Sequence, residues 1–89
     1  MIYVTHVRLS PPDSRNHQHI VKLAWRDPSS GETGQSSREQ LVTWIERGGD
    51  ARVQGPPDVR VHVVDARPRY LRTAANNTYT DNLLYLPRF

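Results

Sequence analysis

The sequence predicts an α+β fold in which one helix packs on one face of an antiparallel sheet of about five strands. Several segments alternate apolar and polar residues with the period of two that is typical of half-buried strands. One central segment, SSREQLVTWIERGG, has the apolar period and both end signals of a helix. The predicted order is ββαβββ followed by a docked apolar segment, without the regular strand–helix alternation of parallel sheets.

The first predicted strand covers residues 2–9, IYVTHVRL, where β-branched and aromatic residues dominate. Simple alternation places Val7 and Leu9 on one face and Val4 on the other. Residues 10–18 contain two prolines and several turn-forming residues, which predicts a long exposed loop.

Residues 19–26, HIVKLAWR, predict a second half-buried strand that is antiparallel to the first. The residues assigned to its buried face are Val21, Leu23 and Trp25. Residues 27–35, DPSSGETGQ, are polar and rich in Gly and Ser. This composition predicts a mobile loop before the helix.

The helix has a start signal, an apolar stripe and a stop signal. Ser37 with Gln40, or Ser36 with Glu39, has the spacing of a capping box. Glycines at residues 48–49 supply the left-handed residue that ends many helices. The predicted apolar stripe consists of Leu41, Val42, Trp44 and Ile45. We expect this stripe, including Trp44, to pack on the sheet together with Trp25.

The C-terminal half predicts three more strands separated by turns. Residues 51–54 form a short strand and GPPD, residues 55–58, a tight turn. Residues 59–66 alternate, and residues 67–75 can continue as a further strand after Pro68. The valines assigned to the buried face are Val59, Val61 and Val63. Residues 75–78, ANNT, predict a turn because asparagine tolerates positive φ.

The tail TDNLLYLPRF is the densest apolar run in a polar chain. Asp81 is expected to accept backbone hydrogen bonds as an N-cap or Asx-turn, and Pro87 to stop further pairing. The leucines expected to dock on the sheet are Leu83, Leu84 and Leu86. Their full burial is worth on the order of 5–9 kcal/mol. Two alternatives remain. In one, Asp81 is a catalytic carboxylate and Asn82 donates a hydrogen bond to an oxyanion or to the substrate. In the other, the tail is an exposed surface that binds a second copy of the chain or another partner.

Composition excludes several classes of function. The chain has 89 residues, which predicts one domain, and no cysteine, so it has neither a disulfide nor a thiolate metal site. No signal peptide and no apolar run of about 20 residues is found, which predicts a cytoplasmic protein without a membrane span. His17 and His19 are spaced for one strand face but lack an acidic or sulfur partner, so no metal and no cofactor is predicted.

The net charge is +3, and arginines are concentrated in the C-terminal half. The candidate residues for binding nucleic acid or another anion are Arg52, Arg60, His62, Arg67, Arg69 and Arg72. Set side by side on neighbouring strands, and with Tyr70 for stacking, they would form a phosphate-binding sheet face. The alternative is an ordinary solvated face that is neutralised by Asp50, Asp58 and Asp65.

Two segments carry a resemblance to a known family. YLRTAANNTYTDNLLYLPRF, with the pattern YLRT, a turn and TDNLLxLP, is combined with GETGQSSREQLVTWIERGG upstream. Together they resemble domain-of-unknown-function family 3892, a family of small bacterial proteins. The resemblance covers nearly the whole chain and implies a compact bacterial domain. It implies no activity, ligand or active-site residue.

These observations favour a non-enzymatic binding or accessory module with an unidentified protein partner, acting as a monomer or weak homodimer. The alternative is a nucleic-acid-binding module that uses the arginine-rich sheet face. No Gly-x-Ser-x-Gly nucleophile elbow and no His-Glu-x-x-His motif is present, so we expect no enzyme.

Overall fold

The computed structural model describes residues 1–89 and has one helix and a seven-stranded sheet. The strands are β1 (Ile2–Leu9), β2 (Ile20–Arg26), β3 (Thr33–Ser37), β4 (Ala51–Val53), β5 (Val59–Val64), β6 (Tyr70–Ala75) and β7 (Thr78–Thr80). The helix α1 spans Arg38–Glu46, and two 3₁₀ helices span His17–His19 and Asn82–Tyr85. The predicted α+β class is confirmed. No helix has both the length and the apolar character needed to cross a lipid bilayer.

The sheet is mixed and has seven strands, which corrects the prediction of an antiparallel sheet of about five strands. The strand order is β3-β2-β1-β4-β5-β6-β7, and β4 pairs with β1 in parallel. The reason is the path of α1, which starts after the edge strand β3, crosses one face of the sheet and returns the chain on the other side of β1. Because the helix connects β3 to β4 across the sheet face, β4 runs in the same direction as β3 and β1.

The predicted loop over residues 27–35 is wrong in its last three residues, because β3 begins at Thr33. Gly34 is the cross-strand partner of Trp25, and the indole occupies the space that a Cβ on residue 34 would need. The glycine that suggested a loop is therefore a packing requirement of the strand. The strand β7 follows a turn in which Asn76 and Asn77 have φ of 52° and 63°, so the predicted asparagine turn is confirmed.

Two irregularities in the pairing of β1 with β2 change which residues face the core. One lies between Val4 and His6, and it leaves Val4 and Val7 buried on the same face. The other shifts the register next to Val21, which is exposed while Ile20 is buried. The predicted outward face for Val4 and inward face for Val21 are wrong because a β-bulge resets the alternation.

The helix begins as predicted and packs on the face of the sheet that forms the core. Ser37 and Gln40 form the capping box, with their reciprocal hydrogen bonds at 3.1 and 2.9 Å. The buried core is made of Ile2, Val4, Val7, Leu9, Ile20, Leu23, Leu41, Val42, Ala51, Val53, Val61, Leu71 and Leu83. Trp44 is 38% exposed, so its predicted burial is wrong, and Trp25 is half-buried against the core.

The tail forms a 3₁₀ turn and then runs beside β1. Leu83 is fully buried, and Leu84 and Leu86 are half-buried against the core. The amide of Val7 donates to the carbonyl of Pro87 at 3.0 Å, so the tail occupies an edge of β1 that β4 leaves free. The predicted capping hydrogen bond of Asp81 is absent.

Candidate functional site

The sheet face opposite α1, called the outer face below, carries a row of basic and aromatic residues. Residues directly opposite one another on paired strands project from the same face of a sheet. The pairing of six strands places one row on this face: Arg26, Tyr3, Arg52, Arg60, Ala74 and Tyr79. Their sequence neighbours Val4, Val53, Val61 and Thr73 are buried on the core side. The row is therefore turned away from the core.

A second set of bases lies on the same face. Arg8 pairs with Lys22, and His62 pairs with Arg72. Half of the twelve Lys and Arg residues thus belong to the outer face, namely Arg8, Lys22, Arg26, Arg52, Arg60 and Arg72. The acidic residues beside them are Asp50, Asp58 and Asp81, the last paired with Arg72. The excess of positive charge on one sheet face favours an anionic ligand.

Each of three arginines on the outer face lies against an aromatic ring. The guanidinium carbon is 4.5 Å from the ring centre of Phe89 for Arg8 and 5.4 Å from that of Tyr79 for Arg72. The third pair joins Arg26 to Tyr3 at 5.1 Å. Such contacts orient the planar guanidinium groups. Arg8 and Arg26 each use one donor nitrogen within the protein, whereas Arg72 uses two.

The two carboxylates hold parts of this face in place. Asp50 accepts hydrogen bonds from Nε and Nη2 of Arg52 at 3.0 and 2.9 Å, and this pairing lowers the pKa of Asp50. Asp58 accepts a hydrogen bond from the Tyr3 hydroxyl at 2.5 Å, which raises the pKa of Tyr3 and lowers that of Asp58. Both carboxylates therefore stay ionised at neutral pH.

The structure brings together four of the six arginine and histidine residues predicted as a binding set. Arg52 and Arg60 are cross-strand partners, as are His62 and Arg72. The other two lie elsewhere. Arg67 is exposed in the turn between β5 and β6, and the Nε of Arg69 lies 3.5 Å from the carboxylate of Glu46 on α1.

Several residues of the outer face were missed by the sequence prediction. These residues are Tyr3, Arg8, Lys22, Arg26, Tyr79 and Phe89. The sequence contains a signal for three of them. Lys22 and Arg26 alternate with more buried residues along β2, and Arg8 lies between two buried residues of β1. Only the long-range pairing shows that they share a face with Arg52 and Arg60.

Comparison with known proteins supports the resemblance seen in the sequence. The family model described as Protein of unknown function (DUF3892) matches residues 3–87. The chain belongs to the DUF3892 family. In this DUF3892 protein the matched range includes all strands of the outer face, from Tyr3 of β1 to β7, and the leucines of the tail. Neither the curated proteins nor the solved structures include a significant match to the chain.

Asp81 of the DUF3892 protein is held in an ion-pair cluster at the start of the tail. It accepts a hydrogen bond from Nη2 of Arg72 at 2.8 Å and lies 3.7 Å from Nε2 of His17. Asn82 accepts from the buried hydroxyl of Thr73 at 3.3 Å. The two side chains that suggested a catalytic pair thus tie the tail to β6 and to the first 3₁₀ helix.

His17 is almost completely buried in this cluster, and its Nε2 has no hydrogen-bond partner. Burial lowers the pKa of His17, and the nearby Arg72 lowers it further, against the opposing effect of Asp81. The neutral imidazole is therefore favoured. No group of three or more His, Cys, Asp or Glu side chains is arranged to hold a metal ion.

Among the clefts on the surface of the DUF3892 protein are two that contain charged or aromatic residues described above. The larger, of about 540 Å³, lies between the β1–β2 loop and the tail, and its charged residues are Asp13, Arg15, Asp81 and Arg88. Two acidic and two basic side chains thus line this cleft, so it has no net charge. The second, of about 410 Å³, lies between α1 and the strands β2 and β3 and contains both tryptophans of the chain.

Proposed function

We propose that this DUF3892 protein is a binding module whose outer face holds single-stranded nucleic acid. The observation that carries the proposal is the presence of arginine and tyrosine side chains in one row across the outer face. In this proposal the protein binds without catalysing a reaction, and it acts in the bacterial cytoplasm, where nucleic acid is present. The arrangement matches the two parts of single-strand recognition, a basic track and stacking platforms.

The basic residues would contact the phosphates. Arg52 and Arg60 lie on neighbouring strands, which are about 5 Å apart in a sheet. The guanidinium group of Arg60 can donate paired hydrogen bonds to phosphate oxygens, whereas Nε and Nη2 of Arg52 are held by Asp50, so Arg52 contributes mainly its charge. Arg60 has its side chain 56% exposed and only a distant ion pair with Asp50 at 3.8 Å, so it is free to turn to a ligand.

The aromatic residues would contact the bases. Tyr79 is 51% exposed at the end of the row, and its ring already faces Arg72. A base can stack on such a ring only when it is unpaired, whereas a duplex offers its bases at the groove edges to an inserted helix or ribbon. The outer face is a sheet surface, so a single strand fits it better than a duplex.

Binding of a labelled oligonucleotide of about 12 nucleotides tests the proposal, since sheet-based binders cover sites of this length. The affinity is measured by fluorescence anisotropy across a series of salt concentrations. The test variant replaces three outer-face bases by Gln: Lys22, Arg26 and Arg60. The control variant removes the same charge elsewhere by replacing Arg15, Arg47 and Arg67.

We expect the affinity of the unchanged protein to fall steeply with salt because bound phosphates release counterions. Each lost phosphate contact lowers the slope of log K against log salt by about 0.7 for single strands, so the test variant should lose about 2. The control should keep the slope. Equal losses in both variants would show a non-specific charge effect, and no binding at low salt would refute the proposal.

A further inference from the structure

On the side of the sheet opposite the outer face, a cleft of about 410 Å³ opens between α1 and the strands β2 and β3. Its lining includes Ile2 and Leu41, both of which are buried. Trp25 of β2 and Trp44 of α1 line it, and they are the only tryptophans in the chain. The volume lies at the lower end of the range for small-molecule pockets.

The two indole rings are fixed by glycines. The ring of Trp25 lies against Gly34, and that of Trp44 lies against Gly49, so closely that a Cβ at either position would overlap the ring. Trp25 is held further by its Nε1, which donates to Oγ of Ser36 at 3.1 Å. Two aromatic surfaces are thereby in place before a ligand binds, which lowers the entropic cost of binding.

The charged side chains that line the cleft are both acidic, and the cation near them is the N-terminal ammonium of Met1, which acts on Asp27. Asp27 and Glu32 line it, no Lys, Arg or His side chain does, and neither acid forms an ion pair. This is unusual in a chain of net charge +3. Asp27 accepts hydrogen bonds from the amide and hydroxyl of Ser29 at 2.9 and 2.6 Å, which lowers its pKa and keeps it ionised.

We infer that this cleft binds a free small organic cation of the quaternary ammonium class. Quaternary ammonium groups have no hydrogen-bond donors, are weakly hydrated and are attracted to the faces of tryptophan rings. The two carboxylates add long-range attraction and disfavour anions. A free small molecule is the occupant because the cleft has a volume of only about 410 Å³ and its lining includes the buried apolar residues Ile2 and Leu41.

Titration with tetramethylammonium tests the inference, with tert-butanol as a neutral probe of similar shape. Tryptophan fluorescence and the indole N–H signals in the NMR spectrum both report on the cleft, because both tryptophans line it. We expect the cation to bind about tenfold more tightly than the alcohol, as cation–π attraction predicts. Equal affinities for the two probes, or no response to either, would overturn the inference.

Variants separate the cleft from general charge effects. Asp27→Asn with Glu32→Gln should weaken tetramethylammonium binding about fivefold, whereas Asp13→Asn with Asp65→Asn, which removes the same charge away from the cleft, should leave it unchanged. Trp44→Leu should abolish binding while a cooperative melt shows that the protein stays folded. Equal weakening by both double variants would overturn the inference, as would much tighter binding of a peptide with trimethylated lysine.

Discussion

The guanidinium carbon of Arg26 lies 5.1 Å from the centre of the Tyr3 ring on the neighbouring strand. The same guanidinium donates a hydrogen bond to the side chain of Gln54 at 2.6 Å, and the Tyr3 hydroxyl donates to Asp58. This series of contacts crosses β2, β1 and the residues that flank β4 and β5. It orders the donors of the outer face before any ligand is present, which reduces the entropy lost on binding.

Replacing Tyr79 by Ala should weaken oligonucleotide binding without destabilising the protein. Loss of one stacking platform costs about 1–3 kcal/mol per base. The ring is 51% exposed, so the melting temperature should change little. Tyr85→Ala is the matched control, because that ring is 79% exposed and lies in the tail, away from the row. Equal binding by the Tyr79 variant and the unchanged protein would contradict a stacking role.

Leu83→Ala should destabilise the fold strongly. The side chain is completely buried, and truncation of a buried leucine costs about 2–5 kcal/mol. Leu86→Ala is the control and should cost less, because Leu86 is only half-buried. Urea denaturation measures both free energies of unfolding. A smaller loss for Leu83 than for Leu86 would show that Leu83 is not a core residue.

A chain that ends after Tyr79 should not fold cooperatively. It lacks Leu83 and also the hydrogen bonds from Val7 to Pro87 and from Arg8 to the carbonyl of Phe89. The whole stability of a domain of this size is on the order of 4–13 kcal/mol, which the lost contacts can exceed. Circular dichroism during heating is the measurement. A cooperative thermal transition in the truncated chain would contradict a structural role for the tail.

Stability should decrease as the pH falls below about 6.5, the pKa of histidine in an unfolded chain. Burial, and then Arg72, lower the pKa of His17 in the folded state, so the unfolded state takes up the proton first. The contribution of neutral His17 to the free energy of unfolding is complete above pH 6.5. It decreases as the pH falls from 6.5 to the lowered pKa of the folded state, by no more than about 1.4 kcal/mol per pH unit.

Urea denaturation at pH 7 and pH 5 checks this dependence in the unchanged protein and in two variants. His17→Gln should lose less stability between the two pH values, whereas His62→Gln, at an exposed position of the outer face, should lose as much as the unchanged protein. An identical pH dependence for the His17 variant would mean that His17 is not the titrating group.

Gly34→Ala should disturb the fit of β3 against β2. A methyl group at this position overlaps the ring of Trp25, and overpacking of this kind typically costs about 1–3 kcal/mol. The shift of the ring should also break its hydrogen bond to Ser36 and change the tryptophan fluorescence. Thr33→Ala, on the exposed face of the same strand, is the control. No change in fluorescence or stability would show that the ring has room to move.

The parts of the fold that depend on local sequence could be predicted. The capping box of Ser37 and Gln40 and the turn at Asn76 and Asn77 involve residues close in the chain, and each was identified from residue type and spacing. The strand β3 could not be predicted, because Gly34 indicates a loop unless one knows that the ring of Trp25 lies over it. The parallel pairing of β4 with β1 depends on the path of α1, which no local pattern encodes.

The candidate site was predicted only in part for the same reason. Arg52, Arg60 and Arg72 follow the alternation of strands that contain no bulge, so their common face could be inferred. The bulge in β1 reverses the alternation between Val4 and His6 and hides the relation of Tyr3 to Arg8. Asp81 was expected to cap a turn, but the nearby guanidinium of Arg72 offers a stronger, charged partner.

The most direct test of the account is an NMR titration of the protein with a single-stranded oligonucleotide, with the backbone amide signals assigned. If the outer face holds the strand, the largest shift changes should fall on the β1, β2, β4, β5, β6 and β7 residues of that face, including Arg26, Arg60 and Tyr79. The amides of α1 should change little. Changes concentrated on α1 or on the tail, with the outer face unaffected, would contradict the proposed function.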